Sequence, residues 1–261
     1  VSIHATAIVA EGAVIPASCT VGPFCTIGPN VVLSEDCELV SHVVLDGHTT
    51  FGKGCKIFSF ACVGVAPQDL KYEGEPTGAV IGDRTTIREG VTISRGTAGG
   101  GGVTRVGADC LIMAYVHIGH DSTIGNGCIL ANAATLAGHV TVEDFATVSA
   151  LCPVHQYCRI GKYSYVGGGT TITQDVLPYS LTSIERNNHA YGLNKVGLQR
   201  RGFTAEQLRE LSTAMRVLTN GKRNTTQALE EIYDMLAQGA GGEHVKYLAE
   251  FAAASERGVI K

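Results

Sequence analysis

Four of the nine histidines lie between positions 117 and 155: His117, His120, His139 and His155. An imidazole near its ordinary pKa is suited to take a proton from a hydroxyl nucleophile. His120 is followed directly by Asp121, a carboxylate of the kind that orients an imidazole and stabilises its charged form. Adjacent residues need not face each other, so spacing alone does not make the pair. Three imidazoles are equally a common zinc ligand set. The residue types therefore fit either a transferase base or a metal-bound water, and both readings depend on residues 117–155 being folded together.

The element that would do this is a six-residue repeat. Counting by six from Ile3 meets only apolar residues through Val63, and the frame returns at Ile81, Ile87 and Ile93. After a shift of one residue it runs from Val106 through Ile118, Leu136 and Val154 to Ile172. That makes 26 hexads with no polar residue at the key position, and in ten of them the next residue is Gly. A period of six is neither helical nor simply alternating. It fits short strands joined by tight turns, three to a triangular coil of 18 residues, stacked like parallel strands about 4.8 Å apart. The coils number between eight and nine, and the prism is roughly 40 Å long. The glycines suit turn positions where a positive φ disfavours other residues. Hexads at 118, 136 and 154 stack on one another, which puts His120, His139 and His155 near one edge on successive coils, with His117 beside them.

Eight of the nine cysteines fall four residues after the aliphatic position, where other hexads carry Ala, Val, Thr or Ser. This is a slot for a small buried side chain. No CxxC pair is present, so a zinc or disulfide framework is not indicated. Reduced structural thiols, and with them a cytoplasmic compartment, are expected. No apolar run reaches the length of a membrane span, and Val1-Ser2-Ile3-His4 does not begin a signal peptide. A net charge of −4 argues against nucleic-acid binding.

Two breaks in the repeat, residues 65–80 and 95–105, are loops on a rigid scaffold, where function is often carried. The glycine run Gly99–Gly102 reads as a flexible excursion; it lacks the Lys-Ser/Thr of a phosphate loop. Past Pro178 the period fails. Thr204-Ala205-Glu206-Gln207 is a capping box opening a helix with Leu208, Leu211, Met215 and Leu218 on one face. Further helices are expected from Thr226 and from about Glu243 to Glu256. The expected organisation is a β-helix over 1–185 and a linker with a helical domain over 186–261. The stretch from Lys195 to Arg223 holds seven basic residues and two acidic ones, which fits a solvated face, an acidic partner or a diphosphate.

The segment Leu111 to Asp121, including Val116-His117-Ile118-Gly119-His120-Asp121, resembles the active-site segment of the UDP-N-acetylglucosamine O-acyltransferase family, which begins lipid A biosynthesis. Further segments with the same likeness are Ser41-His42-Val43-Val44, Gln68-Asp69-Leu70-Lys71-Tyr72, Gly74-Glu75-Pro76-Thr77, Leu136-Ala137-Gly138-His139, Val154-His155-Gln156 and Gly197 to Phe203. They follow one order from the first hexads into the tail. The resemblance implies a mainly β fold, a left-handed parallel β-helix with a C-terminal helical appendage. It implies transfer of a 3-hydroxyacyl group from acyl carrier protein to the glucosamine 3-hydroxyl of UDP-N-acetylglucosamine.

His120 would be the general base, Asp121 its orienting carboxylate, and the Gly138 N–H an oxyanion donor. Asp69, Lys71, His117, His139, His155 and Gln156 would contact sugar nucleotide or acyl chain, and Arg200 with Arg201 the uridine or phosphate. Gly168 falls where the family sets acyl length. The resemblance also implies a homotrimer with clefts between prisms, and neither metal nor dissociable cofactor. Two other readings are the related N-acyltransferase of the same pathway, whose extra N-terminal uridine-binding domain has no counterpart before the hexads at Ile3, and a metal-dependent hydratase of the γ-carbonic-anhydrase kind.

Overall fold

The computed structural model describes residues 2–185, 187–221 and 223–261. Most strands are two residues long, an outward residue followed by the inward aliphatic one, as in His117–Ile118 and Thr135–Leu136. Each pairs in parallel with the strand one coil later, so that Ile118 lies against Leu136 and Leu136 against Val154. Three sheets result, here called faces A, B and C in the order the chain visits them, with 11, 8 and 7 strands among the described residues. The chain is a left-handed parallel β-helix of hexapeptide repeats with C-terminal helices. Its core is the column of Ile, Leu and Val that the six-residue count picks out, from Val21 to Ile172.

The eight in-frame cysteines are buried in this column, while Cys62 is half-buried, and all nine are free thiols. Cys128 Sγ donates to the Glu143 carbonyl and Cys152 Sγ to the Gly167 carbonyl, each at 3.2 Å. A small, weakly donating side chain satisfies a backbone acceptor at the corner without widening the coil.

The glycines after the aliphatic position serve a different purpose from the one expected. Only Gly64 of the ten has a positive φ. The left-handed residue is the fourth of the hexad, and it is often not glycine: Phe24, His42, Asp121, His139 and Tyr157 all sit there with φ between 52° and 65°. The glycines instead admit the next coil. A Cβ on Gly107 would stand 2.6 Å from the Gly125 carbonyl carbon, and one on Gly125 would stand 2.6 Å from Asp144 N. One on Gly22 would run into the Val40 carbonyl. Close approach, not turn conformation, selects glycine at these places.

Both insertions leave the prism at the same corner, between faces B and C. The strands Cys62–Val65 and Gly78–Ile81 continue further than the sequence suggests, so the first excursion is 66–77. The second is 95–102, between the strands Thr92–Ser94 and Val103–Val106.

After Ile172 the chain forms an antiparallel hairpin, Ser180–Glu185 with Asn187–Leu193, that extends face A through Leu181 opposite Tyr165. The expected domain boundary falls at Arg186, outside the described residues. Among the described residues four helices follow: α1 (Lys195–Arg200), α2 (Ala205–Thr219), α3 (Thr225–Ala237) and α4 (Glu243–Ala253). The capping box of α2 is formed by Thr204 and Gln207. In α3 it is formed by Asn224 and Gln227, and the helix begins at Thr225, one residue before the expected Thr226. Leu211, Met215, Leu218, Ile232 and Leu248 join Leu177 and Tyr179 in a second core. The chain then returns to the prism, where Ile260 N donates to the Asp175 carbonyl at 2.8 Å and the Ile260 side chain joins the first core.

The packing account separates two glycines. Gly22→Ala should lower stability by about 2 kcal/mol or more, because backbone rather than a mobile side chain is in the way. Gly99→Ala, where nothing lies within 4 Å, should be neutral or slightly stabilising. Urea unfolding of the two variants beside the parent checks this.

Candidate active site

The B–C corner carries the chemistry. The turns Gly119-His120-Asp121, Ala137-Gly138-His139 and His155-Gln156-Tyr157 lie on three successive coils, tied by His139 N to the His120 carbonyl at 2.9 Å and Tyr157 N to the Gly138 carbonyl at 3.3 Å. His120 therefore stacks on Gly138 and Gln156, and Asp121 on His139 and Tyr157. The predicted edge exists, and both inserted loops flank it.

His120 Nδ1 lies 2.8 Å from Asp121 Oδ2. The imidazole is 18% exposed while the carboxylate is fully buried. With Nδ1–H donating to the carboxylate, Nε2 is left free to accept a proton from a ligand. Thr97 supplies two more donors to Asp121, its N–H to Oδ1 at 2.9 Å and its Oγ1 to Oδ2 at 2.7 Å. Burial alone would raise the Asp121 carboxyl. The Thr97 hydroxyl, His120 and the Thr97 N–H, with His139 nearby, outweigh burial and hold it below the usual aspartate range.

Gly138 stands directly against the base. A Cβ there would come within 2.7 Å of His120 Cε1 and Nε2. The Gly138 N–H donates to no protein acceptor among the described residues, so it is available to a ligand atom beside the imidazole. His139 meets His120 edge-on at 5.1 Å, and its other face stacks on Tyr157 at 4.6 Å. Its Nε2 is 3.9 Å from Asp121 Oδ2.

His117 is turned the other way along face B, with Nδ1 2.7 Å from Thr92 Oγ1. Burial pulls its imidazole below the ordinary value, and the neighbouring charge of His120 adds to that. His155 and Gln156 are exposed at the far end of the row, with His155 Nδ1 3.1 Å from the Gln156 carbonyl. Asp69 and Lys71 lie in the first loop, where Asp69 Oδ1 accepts the Lys71 N–H at 3.0 Å. That loop is fastened by Arg95, which donates to the Tyr72 hydroxyl at 2.8 Å and to Asp46 at 3.1 Å.

Among the described residues, His120, Asp121 and His139 form the one group near enough to share a metal ion. It offers two imidazoles, not three, and its carboxylate already accepts three hydrogen-bond donors. Among the described residues of one chain, no three histidines of the kind a metal-dependent hydratase uses are near enough to share an ion.

Three expected residues are not at this corner in one chain. Arg201 lies over the rings of Phe145, at 4.2 Å, and Tyr163, at the C–A corner. With Arg200 it lines a cavity of about 760 Å³ between face A and α1. Gly168 is at the A–B corner, where a Cβ would have only an ordinary 3.5 Å contact with the Ala150 carbonyl.

Thr97, Tyr157 and Arg95 were not singled out by the sequence. Tyr157 was within reach, being 18 residues after His139 at the same hexad position. The glycine run, expected to be a flexible excursion, is open at Gly99 and Gly101 but packed at Gly100. Thr97 caps the short 3-10 turn Ala98–Gly100, and Gly100 lies so close to the Asp121 carboxyl group that a Cβ would run into it.

Comparison with known proteins bears on the family and the fold. Residues 175–260 match the family described as Udp N-acetylglucosamine O-acyltransferase, domain 2, and residues 104–138 match the bacterial transferase hexapeptide family. The UDP-N-acetylglucosamine acyltransferase of Francisella novicida is 38% identical, covering 99% of this chain and 93% of that one, with a TM-score of 0.94. The enzyme of Bacteroides fragilis is 37% identical over 99% of this chain and 100% of that one, with the same score. The Arabidopsis enzyme is 33% identical over the same shares, with a TM-score of 0.85. Identity at this level over nearly the whole of both chains, on one fold, means that the protein belongs to the UDP-N-acetylglucosamine O-acyltransferase family.

Proposed function

We propose that the protein transfers a 3-hydroxyacyl group from acyl carrier protein to the glucosamine 3-hydroxyl of UDP-N-acetylglucosamine, the first step of lipid A biosynthesis. The observation that carries the mechanism is the His120–Asp121 contact of 2.8 Å, with a buried carboxylate and an accessible ring. His120 Nε2 takes the proton of the sugar hydroxyl as its oxygen attacks the thioester carbonyl. Asp121 holds the tautomer and stabilises the imidazolium. The Gly138 N–H, placed beside the ring, would donate to the developing oxyanion. Collapse of the tetrahedral intermediate expels the carrier thiolate, which recovers a proton from His120. The thioester arrives activated, so this reading needs neither metal nor cofactor.

Asp69 and Lys71 on the first loop, His139, His155 and Gln156 on the corner, and His117 on the adjoining strand of face B would contact the sugar nucleotide or acyl chain. Arg200, Arg201 and Gly168 lie on other corners. A homotrimer would reconcile them, by setting face A and α1 of one copy opposite the B–C corner of the next. Arg200 and Arg201 would then meet the uridine or phosphates, and Gly168 would leave room for a long acyl chain. The basic stretch around α1 and α2 also suits acidic acyl carrier protein. No described helix is long and apolar enough to cross a membrane.

Mass spectrometry of products from metal-free protein, UDP-N-acetylglucosamine and mixed 3-hydroxyacyl carrier proteins should find the sugar nucleotide carrying one acyl group. His120→Ala should lose the signal by about a hundredfold or more. Acylation that appears only after zinc is added back would sink the metal-free mechanism. Gly138→Ala should fold normally but lose turnover to a similar degree, since its methyl group displaces the imidazole. The anionic Asp121 also contributes stability that is present above its unfolded pKa of about 3.9 and lost as pH falls through the lower folded value. Melting curves from pH 7 to pH 3 should show a steeper acid loss for the parent than for Asp121→Asn.

A further inference from the structure

The loop that covers the dyad is itself part of the device. Asp121 Oδ2 is shared by two donors, His120 Nδ1 at 2.8 Å and Thr97 Oγ1 at 2.7 Å, while Oδ1 takes the Thr97 N–H at 2.9 Å. From the other side, Asp121 N donates to Thr104 Oγ1 at 2.8 Å, and Gly96 and Gly100 close over the carboxylate. The carboxylate has no solvent-exposed surface. Among the described residues, Thr97 alone bonds both carboxylate oxygens, and it comes from the inserted loop instead of a hexad.

We propose that Thr97 is a positioning residue for the His120–Asp121 pair: its hydroxyl and N–H clamp both carboxylate oxygens, so that Oδ2 is held on His120 Nδ1 while Nε2 faces the substrate. The assignment rests on the acyl-transfer reading for its kinetic consequence but not for its structural one. The loop has a further tie. Glu75 Oε1 accepts the N–H of Ala98 at 3.3 Å, so the residue after Thr97 is bonded to the loop that carries Asp69 and Lys71. A sugar nucleotide held by that loop would thus bear on the segment that sets the base. The titratable groups facing Asp121 are His120 and His139, the latter with Nε2 at 3.9 Å; Glu75 stands on the adjoining loop.

The test uses Thr97→Val, which keeps the shape and removes the hydroxyl, beside Thr97→Ser, which keeps the hydroxyl. Carbon-13 NMR of the Asp121 carboxyl, assigned by its loss in Asp121→Asn, reports the clamp without any substrate. Removing a donor to the carboxylate raises its pKa, so the Asp121 titration should move to higher pH in Thr97→Val and return towards the parent in Thr97→Ser. With UDP-N-acetylglucosamine and 3-hydroxyacyl carrier protein, kcat should fall by about tenfold or more in Thr97→Val, with KM for the sugar nucleotide within about twofold. Unchanged titration and unchanged kcat in Thr97→Val would overturn the assignment, as would a Thr97→Ser variant as impaired as Thr97→Val. A parent protein that transfers no acyl group, with the Asp121 titration still displaced in Thr97→Val, would remove the proposed reaction and leave the clamp standing.

Discussion

The backbone of each coil rests on the backbone of the next, and the site inherits its precision from that contact. Parallel pairing at every coil fixes the rise, and the inward aliphatic column fixes the rotation, because a slip of one residue would turn the Ile, Leu and Val side chains outward. Three residues separated by 18 positions are then neighbours whatever their identity. His120, Gly138 and Gln156 are one such set, and Asp121, His139 and Tyr157 another. Such a scaffold holds side chains on turns with the rigidity usually found only on strands or helices.

Insertions break this arithmetic at a single corner. Both excursions, 66–77 and 95–102, leave between faces B and C, so faces A and B keep their pairing on either side of them. The second loop folds back to bury Asp121, and the first is braced on the prism by Arg95 and Asp46. Burial of a carboxylate is unfavourable unless donors replace its water. Here Thr97 and His120 replace it, which is why a buried anion is stable next to an accessible base.

How far the sequence could lead follows from which contacts are periodic. The coil, its inward column, the cysteine slot and the shared edge of His120, His139 and His155 are all periodic and were legible from residue spacing. The Thr204 cap was legible from local hydrogen-bond chemistry. Thr97 was not, because its contact crosses an insertion that removes the phase, and no period links position 97 to position 121. The hairpin over 180–193 lies past the last hexad and has neither a period nor a helix cap to announce it. The glycines were recognised but assigned the wrong cause. Period alone cannot distinguish a residue that needs a positive φ from one that must lack a Cβ. Family resemblance named Arg200 and Gly168, yet folding of a single chain leaves both away from the histidine edge.

The left-handed turns bear on how such a site can change over generations. Asp121 and His139 have φ of 59° and 60°, a conformation that glycine adopts at no steric cost and that Gly54, Gly90 and Gly127 adopt at other corners. For local backbone energy alone, glycine would be the better residue at 121 and 139. At 121 the hydrogen bonds from Thr97 oppose that preference, but at 139 selection for stability and selection for turnover pull in opposite directions. A descendant released from its chemical duty would be free to drift there towards glycine, its prism unharmed and its reactive edge erased.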